Sequence, residues 1–235
     1  MIKRIFFTLF LLLFIFNTNF AQENIAENNL TKNDLTEDNL KDKGLVKVID
    51  VVPYISEYIV YATPYNFMGK VLYKNLNHAW LRPEAAEKLK KAAEYLRTKR
   101  LDLHIVVYDA ARPISIQKEM WNLVEGTDME DFVANPNKKG GGMHNYGMAV
   151  DVTLADCTGH PIGMGSEYDY FGDRARVDKE DILLKNNEIT KRELENRLLL
   201  REIMTYAGFI VEPSEWWHFN AMPAKQVRKK FKAIE

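Results

Sequence analysis

The sequence predicts a single folded domain that mixes α-helices with β-strands and follows an N-terminal region of different character. The chain has 235 residues, 46% of them hydrophobic, which suffices for one well-filled core. Apolar residues recur with a helical period in some segments and with a strand period in others. Charge is nearly balanced, with 32 Lys+Arg against 33 Asp+Glu. The composition therefore indicates neither nucleic-acid binding nor an acidic solvating tail.

The first 21 residues have the features of a secretory signal peptide. Lys3 and Arg4 precede an apolar run over residues 5–16, and Ala21 offers a small residue for cleavage. The run is shorter than the roughly 20 residues that span a bilayer, although an uncleaved anchor is the alternative. We expect a periplasmic or secreted protein without stable membrane association after cleavage.

Residues 22–43 are predicted to be a disordered linker. They are rich in Asn, Asp, Glu and Lys, and Leu30, Leu35 and Leu40 recur every five residues. That period fits neither a helix nor a strand, and the segment has little apolar surface to offset ordering entropy. The folded domain is therefore expected to cover residues 44–235.

Two strands and a helix are predicted at the start of this domain. β-Branched residues fill 46–52, and a second short apolar segment covers 59–62. Pro83 stands at a first-turn position of the helix. The apolar stripe of this helix consists of Ala86, Leu89, Ala93 and Leu96.

The middle of the chain is predicted to contain two strands joined through a helix and a loop. Residues 103–108 form the first strand, and the helix begins after Pro113. Three consecutive glycines at 140–142 mark the loop that delivers His144. Apolar residues alternate over 148–154, so this second strand presents Asp151 on the face opposite to the core.

A third helix and a short strand are predicted near the C-terminus. Thr190 and Glu193 form a capping box at the start of the helix. Its apolar side is expected to carry Leu194, Leu198 and Ile203. A strand over 209–211 leads to Glu215 and His218, and residues 225–232 form a basic, solvated helix face.

Two histidines and two carboxylates make up the inventory of a catalytic zinc site. Zinc without cysteine prefers imidazole nitrogen and carboxylate oxygen, as His144, Asp151 and His218 would supply. Glu215, three residues before His218, could act as general base on a water and later donate a proton to the leaving amine. Each motif alone is weak, so a coincidental set of unrelated residues is the alternative.

Arg112 and the single cysteine have simpler alternatives. Arg112 follows a strand, and it either pairs with Asp109 for structure or stabilises the oxyanion of a tetrahedral intermediate. Cys157 excludes an intrachain disulfide and a cysteine-rich metal site, and we expect a small, partly buried residue there. Structural or solvent-facing roles are expected for His78, His104 and His160.

Several motifs resemble those of the D-alanyl-D-alanine dipeptidases, the VanX-type members of the zinc D,D-peptidases. His144-Asn-Tyr-Gly-Met-Ala-Val-Asp151 and Glu215-Trp-Trp-His218 are similar to the two zinc motifs of that family. Segments that begin at Tyr61, Tyr108 and Met164 resemble the family's "RYAT…NF.G", "DAYRP" and "MGT.FD.F" segments. The resemblance covers roughly residues 46–219 in the family's order.

This resemblance implies an α+β fold in which an antiparallel β-sheet is flanked by helices, as in zinc D,D-peptidases and hedgehog-like proteins. The ligands it implies for one Zn²⁺ per chain are His144, Asp151 and His218. It also implies Glu215 as the base, Arg112 as the transition-state stabiliser and Asp169 as the partner of the substrate's amino group. The implied reaction is hydrolysis of D-alanyl-D-alanine to D-alanine in peptidoglycan turnover.

Three positions depart from the family pattern. Val60 stands where arginine is usual, Ala111 where an aromatic residue is usual, and Gly142 where serine precedes the first zinc histidine. Gly142 and Ala111 favour an alternative substrate, a longer muropeptide cleaved by a D,D- or L,D-carboxypeptidase. A non-catalytic peptidoglycan-binding module that keeps zinc for structure is a further alternative, but it would need neither Glu215 nor Arg112.

Overall fold

The computed structural model describes residues 35–138 and 140–235, which form seven α-helices and seven β-strands. The helices are α1 (Glu37–Asp42), α2 (Val48–Val51), α3 (Pro83–Lys99), α4 (Ile114–Val124), α5 (Glu180–Lys185), α6 (Lys191–Tyr206) and α7 (Ala224–Lys230). The strands are β1 (Val46–Lys47), β2 (Ile55–Glu57), β3 (Trp80–Leu81), β4 (Leu103–Asp109), β5 (Ala149–Asp156), β6 (Ile210–Val211) and β7 (His218–Asn220). The mixed α and β class predicted from the sequence is confirmed.

Five strands form the main sheet in the order β2-β4-β5-β7-β6. The pairs β4–β5, β5–β7 and β6–β7 are antiparallel, as expected. The edge strand β2 is the exception, since it runs parallel to β4. Between these two strands the chain crosses over through α3, and a crossover of that kind brings the next strand into the sheet in the same direction. Strands β1 and β3 form a separate antiparallel pair.

The central strand β5 is buried on both faces. Val150 and Val152 are 0% exposed and belong to the hydrophobic core. The alternate residues Asp151 and Thr153 are also buried, with 3% and 1% of their surfaces exposed. The alternation predicted the direction of each side chain correctly, but the polar face lies against other parts of the protein instead of solvent.

Helices α3 and α6 pack against each other and against the sheet. The predicted stripe of α3 is buried, and the capping box of Thr190 and Glu193 begins α6 as expected. The apolar side predicted for α6 needs a correction. Ile203 is buried, but Leu198 is 49% exposed and the inward position is taken by Arg197, which is 1% exposed. A buried arginine hides the helical period because it interrupts the apolar stripe.

The strands predicted for residues 46–52 and 59–62 are wrong in extent. Only Val46–Lys47 forms a strand, and Val48–Val51 turns into a short helix. Residues Val60–Ala62 form a 3₁₀ turn, and the edge strand lies earlier at Ile55–Glu57. Short apolar segments bury one side equally well as a strand or a helical turn, so their periodicity does not separate the two.

The folded region begins before Gly44, inside the stretch predicted to be a linker. The Thr36 side chain caps α1 in a reciprocal bond pair with Asn39, and Leu40 is 1% exposed. Burial of this leucine in the core provides the apolar contact that the sequence alone did not reveal. Residues 35–235 form one compact unit. The signal peptide predicted for 1–21 and the linker up to residue 34 lie outside the described residues.

None of the helices within residues 35–138 and 140–235 combines the length and apolar character needed to cross a membrane.

Candidate active site

Two imidazole nitrogens and one carboxylate oxygen converge on a common point beside strands β5 and β7. His144 Nε2 lies 3.2 Å from Asp151 Oδ1 and 3.0 Å from His218 Nδ1. His218 Nδ1 lies 3.0 Å from the same Asp151 oxygen. The three residues that the sequence predicted as metal ligands are therefore brought together.

The sheet and one turn place these side chains. Asp151 on β5 stands directly opposite His218 on β7 in the antiparallel register. His144 lies in the 3₁₀ turn Met143–Tyr146, which ends at Gly147 with φ of 67°. Glycine adopts this left-handed conformation without strain, and the chain then turns back into β5.

The second nitrogen of each imidazole is fixed by a hydrogen bond. Nδ1 of His144 lies 2.6 Å from the Ala110 carbonyl oxygen, and Nε2 of His218 lies 3.0 Å from Asn220 Oδ1. Each of these nitrogens therefore carries the proton and donates it. When a metal is bound, the other nitrogen of each ring would point its lone pair toward the common point, as in metal-binding histidines. Asn220, two residues after His218 on the same strand, was not predicted from the sequence, although its spacing places it on the same face.

The charges of the three groups are coupled. Burial opposes ionisation of Asp151, but the charges of and hydrogen bonds to His144 and His218 outweigh it and hold the pKa of this carboxyl well below its usual range. Burial would lower the pKa of His218, but the hydrogen bond to Asp151 and the nearby carboxylates raise it to about 9. The carboxylate is thus kept ionised at the centre of the group.

The donor set fits a divalent metal ion. Its atoms are 3.0–3.2 Å apart, close to the roughly 3.3 Å edge of a tetrahedron with bonds of about 2.0 Å. Among the described residues, His144, Asp151 and His218 are the one such group in which three ligand atoms meet. Three protein ligands leave a further position for a water or a substrate atom.

A cavity of about 440 Å³ opens beside these ligands. The other residues predicted to act in the site, Arg112, Asp169 and Glu215, also line it. All six candidate side chains therefore border one space, which is large enough for a small substrate.

The Glu215 carboxylate lies beside the group formed by His144, Asp151 and His218. Its Oε2 lies 3.8 Å from His218 Nδ1, as the three-residue spacing predicted. Burial raises the pKa of Glu215 to about 8, helped by the negative charges of Asp151 and Asp169 and opposed by His218. A carboxyl group with this pKa can both accept and release a proton near neutral pH.

Arg112 makes the structural ion pair with Asp109 that the sequence offered as one interpretation, and it also lines the cavity. Its Nε and Nη2 donate to Asp109 Oδ2 at 2.9 and 2.7 Å, and its Nη1 donates to Gln117 at 3.0 Å. These bonds use three of the five N–H groups of a guanidinium. The side chain is 10% exposed and lines the cavity, so the remaining N–H groups can meet a substrate oxygen.

Asp169 faces the cavity from a strained backbone position, with φ of 58°. Both of its carboxylate oxygens lie 3.0 Å from the Tyr61 hydroxyl, which donates to them. Burial raises the pKa of Asp169 to about 8, against the positive charge of Arg112. A cationic group bound in the cavity would favour the ionised form and lower this pKa.

The loop that carries Asp169 is tied at both ends to one buried arginine. Arg197 on α6 donates through Nε to the Met164 carbonyl and through Nη2 to the Arg174 carbonyl, the latter at 2.6 Å. Its third nitrogen lies 3.5 Å from Glu180. The segment 164–174 is thus anchored to the helical layer.

An aromatic wall of three phenylalanines, which was not predicted from the sequence, borders the cavity. The ring centroids of Phe67 and Phe171 are 5.0 Å apart, and those of Phe132 and Phe171 are 5.6 Å apart. The three residues come from separate loops. No periodic pattern connects such positions, so only the tertiary structure reveals the wall.

The unusual Gly142 is closely surrounded. A Cβ atom built at this position would lie 3.0 Å from the Ala134 Cβ. A serine here would therefore require a shift of the 134 segment. Ala111 and Val60, the other two departures, are buried with 6% and 4% of their surfaces exposed.

The remaining histidines bind other partners. His78 contacts Glu57 at 2.8 Å, His104 contacts Ser56 at 2.9 Å, and His160 contacts Thr158 at 2.7 Å. This agrees with the structural or solvent-facing roles expected for them. Cys157, expected to be partly buried, is instead exposed. It lies in the tight turn after β5, where the backbone leaves the sheet and points the side chain outward.

Comparison with known proteins gives a consistent set of relatives. A family profile described as D-ala-D-ala dipeptidase matches residues 41–234. The D-alanyl-D-alanine dipeptidase of Escherichia coli (strain K12) is 30% identical over 177 residues, which are 75% of this chain and 83% of the relative. That of Enterococcus faecium is 31% identical over 179 residues, 68% of this chain and 82% of the relative. A third, from Synechocystis sp., is 31% identical over 144 residues, 49% of this chain and 58% of the relative.

Proposed function

Because the chain belongs to the D-alanyl-D-alanine dipeptidase family of metallopeptidases, we propose that it hydrolyses D-alanyl-D-alanine to free D-alanine with one zinc ion per chain. The membership that the motifs suggested is confirmed over residues 41–234. The observation that carries the proposal is the convergence of His144, Asp151 and His218 within the cavity that Glu215 also lines.

The metal ligands in this proposal are His144 Nε2, Asp151 Oδ1 and His218 Nδ1. Nitrogen and carboxylate ligands without cysteine suit zinc, and two neutral imidazoles with one carboxylate leave a net charge of about +1. Bound zinc supplies Lewis-acid polarisation of the scissile carbonyl and makes a nearby water acidic enough to attack near neutral pH.

Glu215 is assigned the proton transfers. Its carboxylate takes a proton from the attacking water and later gives it to the amine that leaves when the peptide bond breaks. The 3.8 Å between Glu215 Oε2 and His218 Nδ1 supports this role, because a water beside the metal ligands would be within reach of this carboxylate. The elevated pKa supports a group that can hold the proton between the two steps.

Arg112 is assigned the stabilisation of the negative oxygen that develops on the carbonyl. Its ion pair with Asp109 holds the guanidinium in one orientation, since both groups are buried. Pre-oriented donors in a site with little water stabilise a developing charge without reorganising. The N–H groups that Asp109 and Gln117 leave unused would serve here.

Asp169 is assigned the amino group of the substrate. A dipeptide carries its ammonium close to the scissile bond, and a carboxylate in the cavity would bind it by a charge-assisted hydrogen bond. The Tyr61 hydroxyl, at 3.0 Å, orients the Asp169 carboxylate for this contact. This arrangement would favour a substrate with a free amino terminus over the interior of a long peptide.

The predicted signal peptide at residues 1–21 supports export to the periplasm or the exterior. A D,D-dipeptidase in that compartment would meet short peptides from peptidoglycan, so we place its role in peptidoglycan turnover. We propose no nucleic-acid partner and no stable membrane association after cleavage of the signal.

A second candidate function is a zinc carboxypeptidase that acts on longer muropeptides. Two observations favour it: the 440 Å³ cavity extends along the aromatic wall, and the crowded Gly142 lacks the serine usual in the family. The cavity would accommodate more substrate than a dipeptide, and Gly142 offers no hydroxyl to hold the end of a dipeptide.

The test is release of D-alanine by the purified mature protein from D-alanyl-D-alanine and, separately, from a stem pentapeptide. Each substrate is assayed with zinc, after chelation and after zinc is restored. Zinc-dependent release from the dipeptide supports the first function, and zinc-dependent release from the pentapeptide alone supports the second. Failure of both substrates with one zinc bound would contradict the proposed activity.

A further inference from the structure

We propose that Tyr168 is a positioning residue for Asp151 and sets the affinity of the site for zinc. The inference rests on the proposed function, because it takes His144, Asp151 and His218 as the metal ligands. It adds a residue that the zinc motifs do not contain.

The two oxygens of Asp151 have different partners. Oδ1 lies 3.2 and 3.0 Å from the ring nitrogens of His144 and His218. Oδ2 accepts a hydrogen bond of 2.9 Å from the Tyr168 hydroxyl. The phenol therefore holds Oδ2 away from the metal position and leaves Oδ1 to bind the metal. It also prevents the carboxylate from rotating to bind the metal through both oxygens.

The direction of this bond follows from a count of protons. The Tyr168 hydroxyl also lies 3.3 Å from the Tyr61 hydroxyl, which is itself 3.0 Å from both oxygens of Asp169. As an ionised metal ligand, Asp151 only accepts hydrogen bonds, and a phenol has one proton to donate. The proton of Tyr168 consequently points to Asp151 Oδ2, whichever group donates between Tyr61 and Asp169.

Among the described residues, no other side chain takes over this role. Arg112 Nη2 is the next donor, but it lies 3.8 Å from Asp151 Oδ2. That distance exceeds a hydrogen bond, and the same nitrogen already donates to Asp109 at 2.7 Å. Removal of the Tyr168 hydroxyl would leave Oδ2 without a hydrogen-bond donor.

The ring of Tyr168 is held independently of its hydroxyl. Its centroid lies 5.1 Å from that of Tyr108 and 5.3 Å from that of Trp217, both in tilted or edge-to-face contact. A phenylalanine would preserve these contacts. The variant Tyr168→Phe therefore removes the hydrogen bond with little change in packing.

The test measures zinc affinity directly, by competition with a chromophoric chelator, for the wild-type protein, Tyr168→Phe and Tyr170→Phe. Tyr170 lies on the same loop, and its phenol makes no hydrogen bond within the part of the chain that the structure describes, so it is the matched control. Loss of an outer partner of a metal ligand costs about 10- to 100-fold in metal affinity. We expect the zinc dissociation constant to rise at least about tenfold for Tyr168→Phe and to stay within about twofold for Tyr170→Phe. An unchanged affinity in Tyr168→Phe overturns the inference.

A second readout uses Co²⁺ in place of zinc. Its visible absorption reports ligand geometry, and we expect the bands to shift in Tyr168→Phe but not in Tyr170→Phe.

Should Tyr168→Phe fail to fold, a crystal structure of the zinc-bound wild-type protein tests the inference instead. A phenol within hydrogen-bond distance of the Asp151 oxygen that does not bind zinc supports the inference, and bidentate binding by Asp151 overturns it.

These measurements separate the inference from the proposed function. A wild-type protein that binds no zinc overturns both. A wild-type protein that binds zinc and releases D-alanine, with a Tyr168→Phe variant of equal zinc affinity, overturns the inference alone.

Discussion

Asp151 and His218 face each other across the β5–β7 pair, with Oδ1 and Nδ1 3.0 Å apart. The strand register itself therefore brings two of the three candidate ligands together. Side chains alternate between the faces of a sheet, so a slip of one residue would turn Asp151 to the opposite face. The third ligand, His144, reaches the same point from the turn that precedes β5.

The first prediction concerns Glu215. Replacement by glutamine keeps the size of the side chain but removes the group that accepts the proton. We expect Glu215→Gln to lower kcat for D-alanyl-D-alanine by about 10²- to 10⁴-fold while one zinc remains bound. Steady-state kinetics and metal analysis check this together. A variant with nearly normal kcat would exclude the proposed role.

The second prediction is that zinc affinity rises with pH. Without the metal, the pKa of His218 is raised to about 9, so a proton occupies the position that zinc needs. Below that pKa the proton competes with the metal, and above it the ring is neutral. The dissociation constant should fall about tenfold per pH unit between roughly pH 7 and 8.5, with release of a proton on binding. Calorimetry in buffers of different ionisation enthalpy measures this release. An affinity that does not change with pH would contradict it.

The third prediction concerns Arg112. Lysine keeps the charge but loses the planar group that bonds Asp109 and a substrate oxygen at once. We expect Arg112→Lys to lower kcat by about 10²- to 10³-fold, with a smaller change in KM. Arg100→Lys, at an exposed pair with Asp102, is the matched control and should keep normal kinetics. Equal effects of both variants would argue against a specific role for Arg112.

The fourth prediction concerns substrate choice at Gly142. A serine Cβ would meet the Ala134 Cβ at 3.0 Å, so Gly142→Ser alone should destabilise the fold by about 1–3 kcal/mol. The double variant Gly142→Ser, Ala134→Gly should recover most of that loss. We expect it to raise kcat/KM for D-alanyl-D-alanine relative to a stem pentapeptide. Thermal melts and the ratio of the two kcat/KM values check this, and an unchanged ratio would remove position 142 from the specificity argument.

The fifth prediction concerns the stability of the zinc-free protein. The pKa of Asp169 is raised from 3.8 to about 8, mainly by burial, so the folded state holds a proton that the unfolded state loses. The stability that this proton contributes is complete below about pH 4 and is lost as pH rises toward 8. The variant Asp169→Asn lacks this titration. As pH rises from 5 to 8, the Tm of Asp169→Asn should therefore increase relative to the Tm of the wild-type protein. A difference in Tm that stays constant with pH would contradict the assignment.

Sequence reasoning predicted best where a single element carries the signal. Alternation over 148–154 placed Asp151 correctly, and the capping box at Thr190 placed the start of α6. Both signals are local. In a strand, the backbone geometry fixes the direction of each side chain. At the start of a helix, the side chains of a capping box satisfy the free backbone N–H groups.

Features that depend on distant segments were missed. Leu40 orders α1 only because the core is present to receive it, and the phenylalanine wall joins three loops. The bond from Tyr168 to Asp151 likewise links residues on different elements. The roles of the candidate catalytic and metal-binding residues stay predictions until they are measured.

Because of Arg197, the loop 164–174 should tolerate changes in its sequence and length. Because one side chain ties the Met164 and Arg174 carbonyls, the ends of the loop stay fixed whatever lies between them. The entropy of closing a loop rises only slowly with its length. Away from Tyr168, which holds Asp151, insertions and exchanges inside this loop should therefore be tolerated, so that during divergence the substrate contacts near Asp169 could change while the metal-binding strands stay as they are.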